Sequence, residues 1–401
     1  MSIPFEEARR LVLERIAPLP PEEVPLLEAL GRALAEPLVA NRNLPLFDNS
    51  AMDGFALRAA DCEGGAELRI SGFLPAGARA EEALEPGCAV RIMTGAPLPA
   101  GADAVVPVED AVCSGAGVRP AGPVKSGDHI RFSGQDIRQG ELVAEEGSLL
   151  RPAEINLLAS FGIDRVRVRR RPKVAILSTG DELVELGEPL GSDRIVNSNA
   201  WSLAAQVKEA GGEPVMLGIA RDELEPLRQK LSEGLGFDAL ITSAGVSAGD
   251  RDFVREALSS LGVESVFWKV AMKPGGPTAF GVKGAVPVFS LPGNPVSTMI
   301  TFEQFVRPAL LGMMGHRSLL RATLKASLAQ AVRKKPGKTQ FMRVALEVEN
   351  GRLQVRSSGN QDTGILKTMI RADAIAVLEA SRGGYAAGEE VEIELLGTPM
   401  C

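Results

Sequence analysis

The sequence predicts a multi-domain α/β plus β protein, with a doubly wound α/β domain at its centre, a small β domain before it and an all-β domain after it. Length is the first reason: 401 residues exceed one ordinary domain and suit three or four. The second is the alternation of short apolar runs with helix-periodic stretches between Lys173 and Arg307, the pattern of strands joined by crossover helices. The third is a series of short β-rich runs separated by Gly/Pro turns on either side of that region.

At the N-terminus, residues 5–16 have helical periodicity that Pro18, Pro20 and Pro21 end, and residues 24–34 predict a second helix. Residues 41–45 read as a linker. The segment DNSAMDG, 48–54, is polar and glycine-ended, and Phe55-Ala56-Leu57 continues it as a strand. Runs at 68–73, 89–93, 104–108 and 129–132 make the small β domain. Residues 152–161 predict a helix with Pro at its start and Gly162 after its end, and 163–168 a strand that returns beside the N-terminal helices. The basic run Arg165, Arg167, Arg169, Arg170, Arg171 and Lys173 reads as a solvated strand edge or a seam between domains, in preference to a site for an anionic partner.

The α/β domain opens with a strand at 174–177 and STGDEL, 178–183. A helix at 200–210 closes on Gly211-Gly212, and a strand at 214–219 leads to Arg221-Asp222 and a helix to 231. The strand 238–242 runs into a Gly/Ser-rich stretch, then Asp250, Asp252 and a helix ended by Gly262. Two more apolar runs follow, 265–271 and 286–291. The first carries Lys269, with Lys273 just beyond it; the second enters Pro292-Gly293-Asn294-Pro295 and a helix to about 306. Beyond His316, runs at 323–328, 341–348, 353–356, 375–378 and 391–396 predict the C-terminal β domain.

In an open parallel sheet the loops at the carboxyl ends of the strands line one edge, where ligands bind. Asp181, Glu182, Asp222, Asp250 and Asp252 therefore converge with Lys269, Lys273 and the PGNP turn. Carboxylates without His or Cys suit a hard cation such as Mg²⁺. Lysines suit phosphate as point charges, and glycine turns let backbone N–H groups approach it. The pattern points to a phosphorylated ligand together with a metal. Bland readings stand beside it. Asp222 with Glu225 three residues on is an Asp form of the capping box, and one of Asp250 and Asp252 suits a helix cap. Asp53-Gly54 suits a turn, and PGNP a strand-to-helix connection. Convergence on one edge outweighs these separate readings.

Composition excludes several classes. Four scattered cysteines, Cys62, Cys88, Cys113 and Cys401, form no Cys-x-x-Cys pair, which suits a reducing cytoplasm and argues against zinc. Two histidines leave no His-based metal site. No apolar run reaches membrane-spanning length, and residues 1–15 lack the apolar core of a secretory signal. A net charge of −7 with one Tyr and two Trp disfavours a nucleic-acid surface. Neither a Walker A sequence nor GxGxxG occurs. Gly245-Val246-Ser247-Ala248-Gly249 matches the G-x-S-x-G hydrolase elbow, but Ser247 lies several residues past its strand and the only downstream histidine is His316, so a serine hydrolase is the weakest alternative.

Seven motifs in order carry a resemblance: DNSAMDG, MTGAPLPAGADAVVPVE, STGDEL, TSAGVSAGDRD, FWKVAMKPGGP, LPGNPVS and SSGNQ. Together they closely resemble the MoeA family of bacterial molybdopterin molybdenumtransferases, a family also seen in the E domain of gephyrin, and they span essentially the whole chain. The resemblance implies a discontinuous linker and dimerisation domain (1–45 with 139–170), a β insert (46–138), an α/β molybdopterin-binding domain (171–316) and a C-terminal small β-barrel (317–401). It implies a cytoplasmic homodimer that binds adenylated molybdopterin and molybdate, cleaves the phosphoanhydride with metal assistance, releases AMP and leaves molybdenum on the dithiolene. It further implies a cleft shared between subunits, with Asp53 acting in trans on the Asp252 site. The molybdopterin adenylyltransferase and molybdoenzyme apoproteins are candidate further partners.

By motif, Asp53, Thr94, Glu182, Asp222 and Asp252 match the family's catalytic positions. Asp136, Ser247, Lys269, Lys273, Pro292, Gly293, Asn294, Pro295, Arg343 and Ser357 match substrate-binding ones. Where many members carry a further lysine after Lys273 (KPGKP), this chain has Gly276, which puts a third cationic contact in doubt. Two other readings differ in class. The related adenylyltransferase is a single α/β domain, which the extra domains here argue against. A gephyrin-like scaffold is permitted by the fold, and the retained acids argue for chemistry instead.

Overall fold

The computed structural model describes residues 2–244, 253–349 and 351–397. The chain divides into two compact units, one of Met1–Ala35, Gly147–Ile155 and Arg165–Cys401, the other of Glu36–Glu146 and Asn156–Asp164.

At the heart of the first unit is a six-stranded sheet. Its order is Glu213–Ala220, Lys173–Thr179, Ala239–Ser243, Val286–Leu291, Ala279–Lys283, Glu264–Phe267. The first four strands are parallel. Val174 and Ile176 face one core with Leu203 and Val207 of helix Ser198–Glu209, while Ala175 and Leu177 face another with Leu227, Leu231 and Ala257. Burial on both faces explains why these strands read as continuous apolar runs, and it makes the domain doubly wound. The sheet is mixed where the sequence predicted an all-parallel one. Ala279–Lys283, which the sequence reading passed over, runs antiparallel to both neighbours, so Glu264–Phe267 regains the common direction.

The apolar run at 265–271 is two strands. Glu264–Phe267 belongs to the α/β sheet, whereas Val270–Lys273 pairs with Ile3–Pro4 and with Thr339–Glu349. In the C-terminal domain, Thr339–Glu349, Arg352–Ser357, Thr323–Leu328, Glu390–Leu395 and Ala374–Leu378 pair in turn, and the last returns to the first. The small β-barrel expected there is thus closed, which removes its sheet edges. Leu328, Met342, Val344, Val355 and Ile393 fill it.

The helix expected at 5–16 forms over Phe5–Leu13 and buries Phe5, Ala8 and Val12. The helix expected at 24–34 does not form. Pro21–Pro25 is a strand paired with Arg165–Arg169, Val24 opposite Val166, and a single 3₁₀ turn follows. Leu27 and Leu30, which supplied the helical periodicity, are 76% and 46% exposed, so no core rewards a helix there. The second unit carries a six-stranded sheet in which Gly54–Leu57 lies between the edge strand Ala104–Pro107 and Cys88–Ile92. Phe55 and Leu57 pack into one of its cores, and Ala56 with Ile92 into the other.

The basic run at 165–173 is in part a solvated strand edge, with Arg165 and Arg167 exposed, and in part paired. Arg170 donates to both carboxylate oxygens of Asp238, at 2.7 and 2.6 Å, and the Lys173 amide adds a third bond at 2.7 Å. Burial pushes the Asp238 carboxyl up, and these donors outweigh it, holding the carboxyl below its ordinary range. A carboxyl depressed in the folded state contributes stability above its unfolded pKa and loses that contribution as pH falls through the folded value. Asp238→Asn is therefore expected to lower stability at neutral pH by about 1–2 kcal/mol, with the difference from wild type shrinking below about pH 4. Thermal unfolding midpoints of both proteins across pH measure this.

Candidate active site

The carboxylates come first. The Lys173–Thr179 strand ends in Gly180-Asp181-Glu182. Gly180 has φ +142°, and a Cβ on it would fall 2.6 Å from Oε2 of Glu182, so only glycine lets the Glu182 carboxylate lie back over the strand end. Glu213–Ala220 ends beside it, in Arg221-Asp222. The guanidinium of Arg221 donates to the carbonyls of Asp181 and Leu183 at 3.0 and 3.2 Å, and Arg194 donates to the same Asp181 carbonyl. The Asp222 amide donates to Oδ1 of Asp181 at 3.3 Å. Burial, then the charges of Asp181 and Glu182, raise the Asp222 carboxyl above its ordinary value. Three carboxylates thus crowd one corner of the sheet edge. The capping-box reading of Asp222 fails, because the N-cap position of the next helix is Glu223 and no side chain caps it.

Lys269 sits at the crossing from one sheet to the other, its carbonyl accepting from the Ile3 amide at 3.0 Å. Lys273 ends the Val270–Lys273 strand, and both lysines are exposed. Across the sheet edge, Asn199 donates from Nδ2 to the Gly293 carbonyl at 2.7 Å and to Ser243 Oγ at 3.1 Å. This anchors the PGNP turn over the strand ends. Asn294 occupies the N-cap position of helix Pro295–Thr301, and its amide donates instead to Thr363 Oγ1 at 3.0 Å.

Thr363 belongs to the loop after SSGNQ, and Arg343 holds that loop. Its guanidinium donates to the carbonyls of Asn360 and Asp362 at 3.3 and 3.1 Å and to Thr368 Oγ1 at 3.0 Å. At 1% exposure, Arg343 is spent on this loop. Ser357 Oγ donates to the Gly359 carbonyl and accepts from Gln361 Nε2 at 2.8 and 3.0 Å. Both residues therefore reach the PGNP turn through the loop between them.

The sequence reading missed a polar layer beneath this edge. Thr179 Oγ1, Asn197 Nδ2, Asn199 Oδ1 and Thr242 Oγ1 are buried without a hydrogen-bond partner among the described residues. The available signal was the Asn197-Ser198-Asn199 run at the start of a helix, where paired asparagines are poor helix formers.

Asp53, Thr94 and Asp136 belong to the second unit. Asp53 Oδ1 accepts from the Thr94 amide at 2.7 Å and from its hydroxyl at 2.6 Å. The hydroxyl bond, then the amide bond, lowers the carboxyl below its usual range and keeps it ionised. Asp53-Gly54 is more than turn chemistry: Gly54 begins a strand, and a Cβ there would fall 2.1 Å from the Val106 carbonyl oxygen. Asp136 is exposed and donates its amide to the Leu44 carbonyl at 3.0 Å. Ser247, Asp250 and Asp252 lie outside the described residues.

Among the described residues no group of three His, Cys, Asp or Glu side chains is arranged to hold a metal ion. Two carboxylates meet the requirement of Mg²⁺, which is usually bound through one or two of them plus substrate phosphates and water.

Family models match three stretches of the chain: the MoeA N-terminal region (domain I and II) over 3–162, a probable molybdopterin binding domain over 175–312, and the MoeA C-terminal region (domain IV) over 325–396. A molybdopterin molybdenumtransferase of Haemophilus influenzae is 37% identical over 97% of this chain and 98% of its own length. One from Bacillus subtilis is 35% identical, covering 98% and 94%. The crystal structure of a molybdopterin biosynthesis moeA protein from Pyrococcus horikoshii OT3 superposes with a TM-score of 0.86 at 32% identity, over 98% of this chain and 100% of that one. With relatives of this identity along its whole length and the family's domains in order, the chain belongs to the MoeA family of molybdopterin molybdenumtransferases.

Proposed function

We propose that this chain inserts molybdenum from molybdate into adenylated molybdopterin, cleaving the phosphoanhydride and releasing AMP to give the molybdenum cofactor. The observation that carries the reading is the meeting of the Glu182 and Asp222 carboxylates and the anchored PGNP turn on the carboxyl edge of the α/β sheet, with the exposed Lys269 and Lys273 where the chain leaves that sheet for the neighbouring one. In this reading Lys269 and Lys273 hold the pterin phosphate, and the PGNP turn and Asn199 shape the pocket wall. Glu182 and Asp222, with Asp252, hold Mg²⁺, which when bound offsets charge on the anhydride oxygens. Asp53, fixed and ionised by Thr94, is an acceptor suited to orienting a water or hydroxyl proton. The scattered cysteines suit a cytoplasmic setting.

The test is AMP release from adenylated molybdopterin, with and without molybdate and with and without a chelator. Release is expected to need both molybdate and Mg²⁺. No release under any condition rejects the reaction, and full release after chelation rejects the metal's role.

The assembly we propose is a homodimer with two equivalent clefts, each taking Asp53 from one subunit and Asp252 from the other. Asp53→Ala and Asp252→Ala homodimers are each expected to be nearly inactive. Refolded together in equal amounts, they give roughly half heterodimers with one intact cleft apiece, and activity recovers to about a quarter of wild type. No recovery despite verified heterodimers rules out this arrangement.

A further inference from the structure

The helix that follows the PGNP turn runs through Pro295–Thr301, a π turn at Phe302–Val306 and then Arg307–Met313. A π turn carries one extra residue, which widens the buried face, and such turns recur at functional sites. Here it sets two polar side chains inward, Glu303 with its side chain 7% exposed and Gln304 at 3%. Glu303 accepts from Arg321 Nε at 2.8 Å and from Gln206 Nε2 at 3.2 Å. Gln304 reaches across to the C-terminal barrel, where its Nε2 donates to Oε2 of Glu394 at 2.6 Å. Glu394 lies on strand Glu390–Leu395, opposite Thr323 on one neighbour and Ile375 on the other. Burial raises its carboxyl above the usual range, opposed by the Gln304 bond and by the charge of Arg9.

The barrel also touches the start of the same helix. Asn294 Nδ2 donates to Thr363 Oγ1 at 3.0 Å, and the Val296 amide donates to the Thr363 carbonyl at 3.3 Å. An amide in the first turn of a helix has no partner within the helix, so Val296 depends on the barrel loop for its bond. About 15 Å of helix separates Asn294 from Gln304, at 1.5 Å per residue. Two contacts that far apart fix the angle between barrel and helix, whereas either alone leaves it free to rock. Phe341 and Ile375 of the barrel pack into one core with Phe5 and Phe305, an attraction without direction. The strand pairing beside them is short, Met272 with Thr339 and Lys273 with Gln340.

Burying a carboxylate is a costly way to stabilise an interface, and its best-attested use is to select one packing among several. We propose that Gln304 and Glu394 are positioning residues: their bond sets the barrel on the helix so that the 357–363 loop, held by Arg343, closes on the PGNP turn and completes the wall of the substrate pocket. They act through the helix and the loop, from the far end of the helix. The service of that wall to substrate binding rests on the proposed function; the hold of the Gln304–Glu394 bond on Thr363, against Asn294 and Val296, does not.

Site-resolved hydrogen exchange of the full-length protein without ligand reads the contact directly, through the Val296 amide. Glu394→Leu is expected to speed Val296 exchange about tenfold, the effect of losing one charge-assisted bond. That variant leaves Gln304 buried without its acceptor, so Gln304→Leu with Glu394→Leu keeps the test independent of folding. Apolar groups of similar size at both places are nearly neutral for stability, and Val296 is expected to exchange as fast as in the single variant. Glu394→Gln keeps an acceptor for Gln304 and is expected to match wild type. In AMP release, the two Leu variants are expected to raise KM for adenylated molybdopterin about tenfold, with kcat within about twofold of wild type. A loss of folded enzyme would lower kcat and leave KM alone. Wild-type protection of Val296 in the folded double variant overturns the proposal, and so does a full loss of protection in Glu394→Gln. Fast Val296 exchange with an unchanged KM overturns the loop's place in the pocket wall. If the wild type releases no AMP while Val296 responds as expected, the proposed function falls and the positioning of the barrel stands.

Discussion

Asp222→Asn is expected to reduce AMP release about a thousandfold while the protein stays folded. The magnitude follows from removing a preorganised charge from a site where charge develops, which costs roughly 10²–10³ in rate for a single group. The fold should not notice. The Asp222 side chain caps no helix and accepts no hydrogen bond among the described residues; only its backbone amide is engaged, with Asp181. Its carboxyl is raised above the ordinary value by burial and by Asp181 and Glu182. A carboxylate raised in the folded state costs stability at every pH above its unfolded value. Neutralising it should therefore leave the melting temperature at neutral pH unchanged or slightly higher. A stable Asp222→Asn protein with near-normal AMP release would remove Asp222 from the chemistry. A protein that loses activity and stability together would instead point to an unrecognised structural role.

That corner of the site was legible in the sequence because its geometry is local. The strand at 173–179 shows apolar residues on both faces, and short loops leave Asp181, Glu182 and Asp222 nowhere to go but the sheet edge. Legibility failed where pairing is non-local. Val24 is a strand residue because of Val166, and no periodicity within residues 24–34 reveals it. The run at 265–271 looks like one strand because its composition is continuous, but the chain changes sheets at Trp268 and Lys269, and the deciding partners are Phe280 on one side and Ile3 on the other. Arg343 shows the converse: its motif match was plain, but only the closed barrel shows its guanidinium holding the 360–362 carbonyls.

Lys269 and Lys273 carry the second large effect. Each is exposed and without an ion pair among the described residues, so each is available to a ligand and neither is needed to balance a protein charge. Their backbone is fixed: Ile3 donates to the Lys269 carbonyl at 3.0 Å, and Lys273 is paired in register with Gln340. Their stems therefore start from defined points where the chain passes from the α/β sheet to the neighbouring one. A charge-assisted bond to phosphate contributes about 1.5–3 kcal/mol, and exposure with screening places each lysine near the lower end. Lys269→Ala and Lys273→Ala are each expected to weaken molybdopterin binding roughly tenfold. If the two act on separate phosphate oxygens, the losses add and the double variant weakens binding roughly a hundredfold. The wild-type affinity should fall with added salt, and the double variant should show a shallower dependence, because two of the contacts being screened are gone. Calorimetric titration at two ionic strengths reads both effects at once. Equal affinity in wild type and double variant would take the pterin phosphate away from these lysines, and a loss confined to Lys273→Ala would assign the phosphate to Lys273 alone.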